Sequence, residues 1–509
     1  MPRLIFGTEI IEPAAFAARV DKVAGWLAGS GIGPGDVVAY MLRNEPAILE
    51  LGQAAQRLGA TALPINWHFG AEETRYILSD SNARLLVAHG DLLQRLAPAD
   101  LACPVYSVHT PDAICQAYGV AADLANGPPS IPSWREAVAA ASPLPAPAQR
   151  PPGGATLMYT SGTTGKPKGV LRRAPTPDEA ARIFTVLRQV FGTRPNQVLL
   201  TAAPLYHAAP SASTNAAMRV DGTVILLPRF KPEAFLGAIQ QHRVTHAFMV
   251  PVMFTRLLRL PQDVRQKYDL SSLEWVLHGA APCPPDLKRA MIEWWGPVIH
   301  EYYGSSEFGP IAACDSNEWL LRPGTVGRAV TGAEIAILDE TGNPVLPGEA
   351  GEIFCRQTYY PDFTYHRLAY KRAEVDRSGL VTCGDVGLLD RDGFLFITDR
   401  KRDMVISGGV NIYPAEIEAV LGAMPGVADC AVFGIPDPEF GEAICAYIQP
   451  EPGATLERPF VETYLRERLA GYKLPRRIEF AESLPREESG KIFKRRLRDP
   501  FWENAGRRI

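Results

Sequence analysis

The stretch from Tyr159 to Gly169, YTSGTTGKPKG, combines glycines, hydroxyl side chains and two lysines. Glycine permits backbone conformations that are closed to other residues, so the N–H groups of such a loop can approach an anion, and Lys166 and Lys168 add positive charge. This combination is suited to binding the phosphates of a nucleoside triphosphate. It is not the P-loop of common kinases and ATPases, because Pro167 stands where that motif requires serine or threonine. Taken alone, the stretch is also compatible with a polar hairpin loop.

Further short motifs follow along the chain: PLYHAAP (204–210), HGAAP (278–282), EYYGSSEFG (301–309), TCGDVG (382–387), DRKRDMVISGGVNIYPAEIE (399–418) and LPREESGKIFKRRLR (484–498). In this order and at this spacing, the motifs resemble those of the adenylate-forming superfamily, which contains acyl-CoA synthetases, nonribosomal adenylation domains and luciferases. The resemblance spans nearly the whole chain. One departure is Ser306, which replaces the commoner threonine.

The resemblance implies a first reaction in which a carboxylic acid and ATP give an acyl-AMP and pyrophosphate. Ser306 would then hydrogen-bond the α-phosphate, and Glu307 would help to hold Mg²⁺, a cation that prefers carboxylate and phosphate oxygens. Lys491 would neutralise charge while the α-phosphate is attacked. The β- and γ-phosphates would be held by Thr160, Ser161, Gly162, Thr163, Thr164, Gly165, Lys166 and Lys168.

The nucleoside would be bound by residues from several motifs. By resemblance, Tyr303 stacks on adenine beside Tyr302 and Gly304, Gly279 and Ala280 close the other side of the ring, and Glu301 lies near its amino edge. Asp385 would accept hydrogen bonds from both ribose hydroxyls, and Arg400 would bind the same sugar or its phosphate. Without this context, the tyrosines would be ordinary core aromatics, Glu307 a surface carboxylate, Asp385 a turn cap and Arg400 a solvated arginine.

The resemblance also implies a second reaction, in which the thiol of CoA attacks the acyl-AMP after the C-terminal domain has rotated. The hinge would be Arg402, where aspartate or lysine is commoner. Gly408 and Gly409 would then line the passage of the pantetheine arm, because a missing side chain lets the thiol pass close to the backbone. In the alternative interpretation, the two glycines belong to an ordinary turn.

The acid would occupy a pocket whose lining we predict to be Tyr206, His207, Val250, Pro251, Gly279, Phe308, Gly309 and Ile311. His207 is a candidate for gating the carboxylate or acting on the acyl group, and a structural histidine is nearly as compatible with the sequence.

The elements that must position these residues alternate between helix and strand. AFAARVDKVAGWLAGSG predicts a helix, DVVAYML a strand, PAILELGQAAQRLGA a helix opened by Pro46 and TALPIN a strand. After a proline-rich linker (142–154), a second set contains VLLTAAP, GTVILLP, VTHAFMVP, LEWVLHGAAP and GPVIHEYYG. Such alternation is typical of α/β layers with largely parallel strands, which bind ligands at the carboxyl ends of the strands.

Beyond about residue 330 the pattern changes to β-hairpins, and the last hundred residues predict a small α+β unit. The predicted fold class is therefore α/β, with a large N-terminal domain of layered α/β sheets and a β-rich subdomain (1–400) and a small mobile C-terminal domain (401–509). Near the C-terminus we expect a solvated basic face formed by Lys494, Arg495, Arg496 and Arg498.

Composition limits the other classes of function. A chain of 509 residues with 46% hydrophobic and 21% charged residues is typical of a globular protein, and its net charge of -4 gives no reason to expect nucleic acid or an anionic membrane as a partner. The eight cysteines lack metal-ligand spacing and are typical of reduced thiols. No window approaches 18 apolar residues, so we expect no transmembrane segment and a cytoplasmic location.

The leading hypothesis is an ATP-dependent carboxylic acid:CoA ligase, similar to bacterial acyl-CoA synthetases of fatty, bile or aryl acids. INWHFGAEE (65–73) and DRKRDMVISGGVNIYPAEIEAVL (399–421) carry this closer resemblance. One alternative is a stand-alone amide synthetase, which would transfer the acyl group to an amine. A second is a non-catalytic nucleotide or acyl binder. The small-molecule partners would be a carboxylic acid and either CoA or an amine, and a homodimer is compatible with the resemblance.

Overall fold

A computed structural model of the chain describes residues 2–147, 154, 156–160, 167–401, 403–407, 410–486 and 492–503. Helices and strands alternate through the first part of the chain, as predicted. Several helices begin with proline, whose missing N–H costs nothing at a helix start. The elements are β1 (Arg3–Phe6), β2 (Glu9–Ile11), α1 (Pro13–Gly29), β3 (Val37–Met41), α2 (Pro46–Arg57), β4 (Thr61–Pro64), α3 (Ala71–Ser81), β5 (Ala83–His89), α4 (Gly90–Leu93), β6 (Val105–Val108), α5 (Asp112–Tyr118) and α6 (Trp134–Ala140).

The second alternating set begins at the phosphate-loop motif, which joins β7 to β8. Its helices have clear boundaries: α7 starts with a capping box between Thr176 and Glu179 and ends at Gly192, which has a φ of 64°. The elements are β7 (Thr156–Thr160), β8 (Lys168–Arg172), α7 (Pro177–Phe191), β9 (Gln197–Thr201), α8 (Ala208–Ala217), β10 (Gly222–Leu226), α9 (Pro232–His242), β11 (His246–Met249), α10 (Pro251–Leu258), α11 (Gln262–Arg265), β12 (Trp275–His278), α12 (Pro285–Trp295) and β13 (Ile299–Ser305).

The chain then becomes rich in β-strands, as the hairpin patterns predicted. These elements are β14 (Gly309–Cys314), α13 (Ser316–Leu321), β15 (Thr325–Ala329), β16 (Ala333–Leu338), β17 (Gly351–Gln357), β18 (Phe363–Tyr365), α14 (Ala369–Glu374), β19 (Asp376–Arg377), β20 (Leu380–Val381), β21 (Asp385–Leu389) and β22 (Phe394–Arg400). The last part of the chain contains β23 (Val405–Ser407), β24 (Val410–Ile412), α15 (Pro414–Gly422), β25 (Val427–Asp437), β26 (Gly441–Pro450), α16 (Arg458–Arg466), β27 (Arg477–Phe480) and α17 (Lys494–Trp502).

The largest sheet has the order β19-β20-β17-β21-β22-β15-β14-β13-β12-β11-β9-β10-β1-β2, with β16 also paired to β17. From β13 to β1 its neighbours are parallel, and from β13 to β22 they are antiparallel. Strand β13 therefore joins the α/β part to the β-rich part. A second sheet has the order β18-β8-β7-β4-β3-β5-β6.

Helices α1 and α2 pack between these two sheets, and together they bury one continuous apolar core. Its fully buried members include Leu4, Phe16, Val20, Leu27, Val38, Leu51, Ala54, Val87, Val224 and Leu226. Burial on both faces explains why the strand sequences are continuous apolar runs rather than alternating ones. The layered α/β fold predicted from the sequence is confirmed.

The C-terminal part forms its own sheet, ordered β24-β23-β26-β25 with β27 beside β26, and its own apolar core. The expected solvated basic face is wrong for Lys494, whereas Arg495 and Arg496 are exposed as expected. The basic stretch after residue 493 forms α17, and Lys494 is not simply solvated, because its Nζ lies 2.8 Å from Glu418 Oε1. Burial opposes the charge of Lys494, but Glu418 and Asp403 more than offset it and raise the lysine pKa. Among the described helices, none is long and apolar enough to cross a bilayer.

Candidate active site

A cleft of about 3470 Å³ opens where the parallel strands end, between the two large sheets and the C-terminal part. Its walls include the loops that follow β9, β11, β12 and β13, which is the usual ligand-binding edge of an open α/β sheet. Predicted site residues that are far apart in the sequence line this one cleft. They are Lys168, Ala280, Glu301, Tyr302, Tyr303, Gly304, Ser306, Glu307 and Asp385.

Tyr303 and Asp385 are in direct contact, although they lie on different strands of the largest sheet. The Tyr303 hydroxyl donates a hydrogen bond of 2.7 Å to Asp385 Oδ2 in a buried environment. Burial, together with the Asp385 carboxylate, raises the pKa of Tyr303 well above its usual value. The phenol therefore stays protonated and holds the carboxylate in place at the wall of the cleft.

The turn between β13 and β14 presents Ser306 and Glu307. A Cβ on Gly304 would lie 2.5 Å from the carbonyl oxygen of Gly309, so only glycine permits this tight approach. Inside the turn, the N–H groups of Glu307 and Phe308 donate to Ser305 Oγ at 3.1 and 3.3 Å. These contacts fix the backbone on both sides of Ser306.

Arg172 holds the same turn from the second sheet, and the sequence analysis missed it. Its Nη2 donates to the carbonyl oxygen of Glu307 at 2.6 Å and to that of Ser306 at 3.4 Å. Burial lowers the pKa of the guanidinium, and its carbon lies 5.2 Å from the centre of the Tyr360 ring. A signal was present, because Lys168 and Arg172 are four residues apart on β8 and therefore share one face of the strand.

Glu307 is the predicted Mg²⁺ ligand, and its carboxylate accepts a hydrogen bond of 3.3 Å from the Tyr365 hydroxyl. Within the described ranges, no group of three or more His, Cys, Asp or Glu side chains could hold a metal ion. A single carboxylate such as that of Glu307 suits Mg²⁺, which typically binds one or two carboxylates and takes its remaining ligands from water and substrate phosphates. Glu307 is the residue that would hold the ion, which would neutralise phosphate charge.

Glu301 makes a buried ion pair with Lys288, a second residue that the sequence analysis missed. Lys288 Nζ lies 2.7 Å from Glu301 Oε2, and the lysine side chain is fully buried. The spacing of Lys288, Met291, Ile292 and Trp295 places all four on the buried face of α12, so the helical period could have revealed a buried lysine.

Gly279 and Ala280 lie at the end of β12, and the structure places Gly279 against Tyr302 rather than Tyr303. A Cβ on Gly279 would come within 2.8 Å of the Tyr302 ring. Ala280 has a φ of 68°, an uncommon conformation for a residue with a side chain. This backbone turns sharply where it enters the cleft.

Only some of the residues that were predicted to line the acid pocket lie at the cleft. Side chains of Tyr206, His207, Val250 and Pro251 line it, as does Gly309. Phe308 and Ile311 are not among the residues that line the cleft, and both side chains are buried in a core cluster with Ile353 and Leu395. Tyr206 and His207 pack together with their ring centres 4.3 Å apart.

Several predicted residues lie outside the described part of the chain: Ser161, Gly162, Thr163, Thr164, Gly165, Lys166, Arg402, Gly408, Gly409 and Lys491. Thr160 and Arg400 are described only as the last backbone positions of β7 and β22. The roles of these residues stay predictions.

With this geometry established, comparison with known proteins identifies the family. A family model described as AMP-binding enzyme matches residues 4–360, and one described as AMP-binding enzyme C-terminal domain matches residues 416–491. The chain belongs to the AMP-binding enzyme family. This membership confirms the predicted superfamily and the prediction that the protein is an AMP-forming ligase.

Relatives within the AMP-binding family cover almost the whole chain. Feruloyl-CoA synthase from Amycolatopsis sp is 35% identical over 502 residues, which are 97% of this chain and 95% of the relative. The amide bond synthetase McbA from Marinactinospora thermotolerans has a similar structure, with a TM-score of 0.82, 28% identity and coverage of 98% of this chain and 96% of McbA. ATP-bound MatB from Rhodopseudomonas palustris gives a TM-score of 0.82 at 28% identity, over 99% of this chain and 96% of MatB.

Proposed function

We propose that this AMP-binding enzyme is an ATP-dependent carboxylic acid:CoA ligase. The observation that carries the proposal is the hydrogen bond between Tyr303 and Asp385 beside the Ser306–Glu307 turn. It brings an aromatic ring that can stack on a purine next to a carboxylate that can accept two ribose hydroxyls, and places both near groups suited to phosphates. The relative named feruloyl-CoA synthase supports CoA as the acyl acceptor.

In the first step, a carboxylate oxygen of the acid attacks the α-phosphorus of ATP, and pyrophosphate leaves. Ser306 would donate a hydrogen bond to the α-phosphate, while Arg172 keeps the turn that carries Ser306 and Glu307 in position. In the second step, the CoA thiolate attacks the acyl carbon and AMP leaves. Both steps act on the same carboxyl group of the acid, which is why we place them in one cleft.

The division of the chain at residues 400 and 401 is part of the proposal. Strand β22 ends at Arg400, and the separate C-terminal sheet starts at Val405. A short connection between two independently packed cores is what a rotation between the two reactions requires. Arg402 is the proposed hinge and Lys491 the proposed catalytic lysine of the adenylation step.

An aromatic acid fits the apolar side of the cleft. The Tyr302 ring lies 5.8 Å from Phe191 and 6.5 Å from Phe248, so three rings meet at one wall. Small residues of α8, among them Ala209 and Ala212, line the cleft. Offset or edge-to-face contacts with these rings would favour a ring over an alkyl chain.

The decisive experiment incubates the full chain with ATP, Mg²⁺ and CoA against a panel of aryl, cyclic and aliphatic acids. Chromatography of the nucleotides and mass spectrometry of the CoA pool are the readouts. We expect AMP, pyrophosphate and an acyl-CoA, with aryl acids preferred. Formation of ADP, or nucleotide binding without turnover of any acid, would contradict the proposal.

The similarity to the McbA structure favours one second candidate, an amide synthetase. The same assay separates the two if an amine is added in place of CoA. Acyl-AMP that is converted to an amide and never to a thioester would replace the ligase proposal with the amide one.

A further inference from the structure

Lys288 on α12 carries a positive charge into the interior beside the proposed base site. Its ammonium contacts Glu301 Oε2 at 2.7 Å, the Cys314 sulfur at 4.0 Å and the Trp319 ring, whose centre is 5.0 Å away. Among the described residues, Glu301 is the carboxylate that compensates this charge. Replacing a buried ion pair by apolar residues is often neutral or stabilising, so stability alone does not account for this one.

Glu301 is the member of the pair that reaches the cleft. Its side chain is 8% exposed, whereas Lys288 is 0% exposed, and only Glu301 lines the cavity. Oε2 faces Lys288, and no described residue donates a hydrogen bond to the second carboxylate oxygen, Oε1. That oxygen is therefore free to accept a hydrogen bond from a ligand.

Glu301 and Tyr303 lie on the same face of β13, beside the proposed position of the base. The two residues lie two positions apart on β13 and are both buried, so they share one face of the strand at a spacing of about 7 Å. A base stacked on the Tyr303 ring, with its sugar at Asp385, therefore brings one ring edge to the carboxylate.

We propose that Lys288 is a positioning residue that holds Glu301 as an anionic hydrogen-bond acceptor, so that the pair selects 6-aminopurine over 6-oxopurine nucleotides. This inference rests on the proposed function only in placing the nucleotide base at Tyr303. An ionised carboxylate can only accept hydrogen bonds. It accepts from the 6-amino group of adenine. In hypoxanthine or guanine the same position carries the 6-oxo group, another acceptor, and the ring must shift to bring its N1–H donor to the carboxylate.

The charge state of Glu301 is the variable that matters, and few other groups near it can titrate. Burial raises the pKa of Glu301, and Lys288 opposes that shift. His278 Nε2 lies 3.5 Å from Glu301 Oε2. Burial, and to a smaller extent the charge of Lys288, lower the pKa of His278 well below its usual value, so the imidazole stays neutral. Burial raises the pKa of Cys314 to about 12 and that of Cys283 well above its usual value, so neither thiol ionises near neutral pH.

The test measures binding of ATP and ITP by calorimetry, without any acid substrate, from about pH 6 to about pH 8. The variants are Glu301→Gln, Lys288→Met and Lys288→Arg, with Met291→Leu as a control on the buried face of the same helix. For Glu301→Gln, whose amide can donate to the 6-oxo group, we expect the preference for ATP over ITP to fall by about tenfold or more.

Lys288→Met gives the readout that a purely structural role would not change. Without the ammonium, the pKa of Glu301 rises further, and a protonated carboxyl can donate to a 6-oxo group. The acceptor-only state is present above this pKa and lost below it. As the pH is lowered, we therefore expect the ATP preference of Lys288→Met to be lost at a higher pH than that of the unmodified chain. Lys288→Arg and Met291→Leu should keep the original pH profile.

Removing one member of a buried ion pair can prevent folding, so a double variant completes the test. Lys288→Met/Glu301→Gln removes both charges and should show a weak ATP preference that does not vary with pH. An unchanged ATP:ITP ratio in Glu301→Gln and in the double variant would overturn the inference, as would an equal shift in Met291→Leu. Because no acid takes part, selective ATP binding by a chain that forms no acyl-AMP would contradict the proposed function and leave this inference standing.

Discussion

The proposed base end and the proposed acyl end of the cleft offer different kinds of contact. At the base end, the polar groups are buried and partnered, as in the Lys288–Glu301 ion pair and the hydrogen bond between Tyr303 and Asp385. At the proposed acyl end, aromatic rings and small side chains of α8 line the cleft. In the proposed assignment, one end would recognise charge and hydrogen-bond direction, whereas the other would recognise shape.

This difference has consequences for specificity. A ligand that leaves a buried polar group unpaired loses several orders of magnitude in binding, whereas one extra or missing methylene in an apolar pocket changes binding by only about 10- to 200-fold. The nucleotide should therefore be fixed, while one or two substitutions can change the acid.

Asp385→Ala should produce the largest effect, because it removes the proposed ribose acceptor and leaves the Tyr303 hydroxyl without its partner. We expect kcat/KM for ATP to fall by about 100-fold or more in ATP–pyrophosphate exchange. Asp392→Ala, an exposed substitution in the turn that follows β21, is the matched control and should retain full activity. A loss of less than threefold in Asp385→Ala would remove this carboxylate from the nucleotide site.

Arg172→Met should have the next largest effect and acts on the turn between the two ends. The substitution removes the hydrogen bonds to the carbonyl oxygens of Ser306 and Glu307, so the two side chains lose their fixed orientation. Misplaced groups at the phosphate should lower kcat by about tenfold to 100-fold while the KM for ATP changes less. Steady-state kinetics separates these two constants.

The neighbouring arginine supplies the control for that experiment. Arg173 is exposed and pairs with Glu179 on the surface, so Arg173→Met removes the same charge without touching the turn. Its kcat should match that of the unmodified chain. If both variants lose activity equally, net charge rather than the turn explains the effect.

Much of this arrangement was predictable from the sequence, and the exceptions share a cause. Motif residues such as Tyr303 and Asp385 were found because the motifs that contain them resemble those of the adenylate-forming superfamily. Arg172 and Lys288 were missed because each acts through a partner more than a dozen residues away, and only folding reveals that contact. Both had a local signal, since strand alternation and helix period placed a cation on an inward face.

The fold was predicted well where apolar runs are long and poorly where charge dominates. The parallel strands follow from continuous apolar sequence, which requires burial on both faces. Lys494 was predicted to be solvated because the sequence around it is basic, and its partner, Glu418, lies far upstream on α15. Phe308 and Ile311 were predicted to line the pocket, but both side chains pack into the core of the β-rich part, a long-range contact that the local sequence does not show.

Ala212→Phe tests the acyl end, where we expect a selective effect. Ala212 lies on α8 and lines the cleft, so a phenyl ring there fills space that a bulky acid would occupy. The KM for aryl acids should rise by about tenfold, while small aliphatic acids are affected less. The KM for ATP is the internal control and should not change. An equal rise for ATP would show that the two ends are not independent.

Tyr303→Phe should have the smallest effect, and it tests the contribution of a single hydroxyl group at the base end. The variant keeps the ring for stacking and removes only the hydroxyl that donates to Asp385. A hydrogen bond contributes about 0.5–1.5 kcal/mol net, so the KM for ATP should rise by about twofold to tenfold. Tyr268→Phe, whose hydroxyl lies 3.5 Å from Glu233 on the surface, is the control for loss of a phenol. If Tyr303→Phe is as inactive as Asp385→Ala, the hydroxyl itself contacts substrate, and the base end depends on more than stacking and the orientation of Asp385.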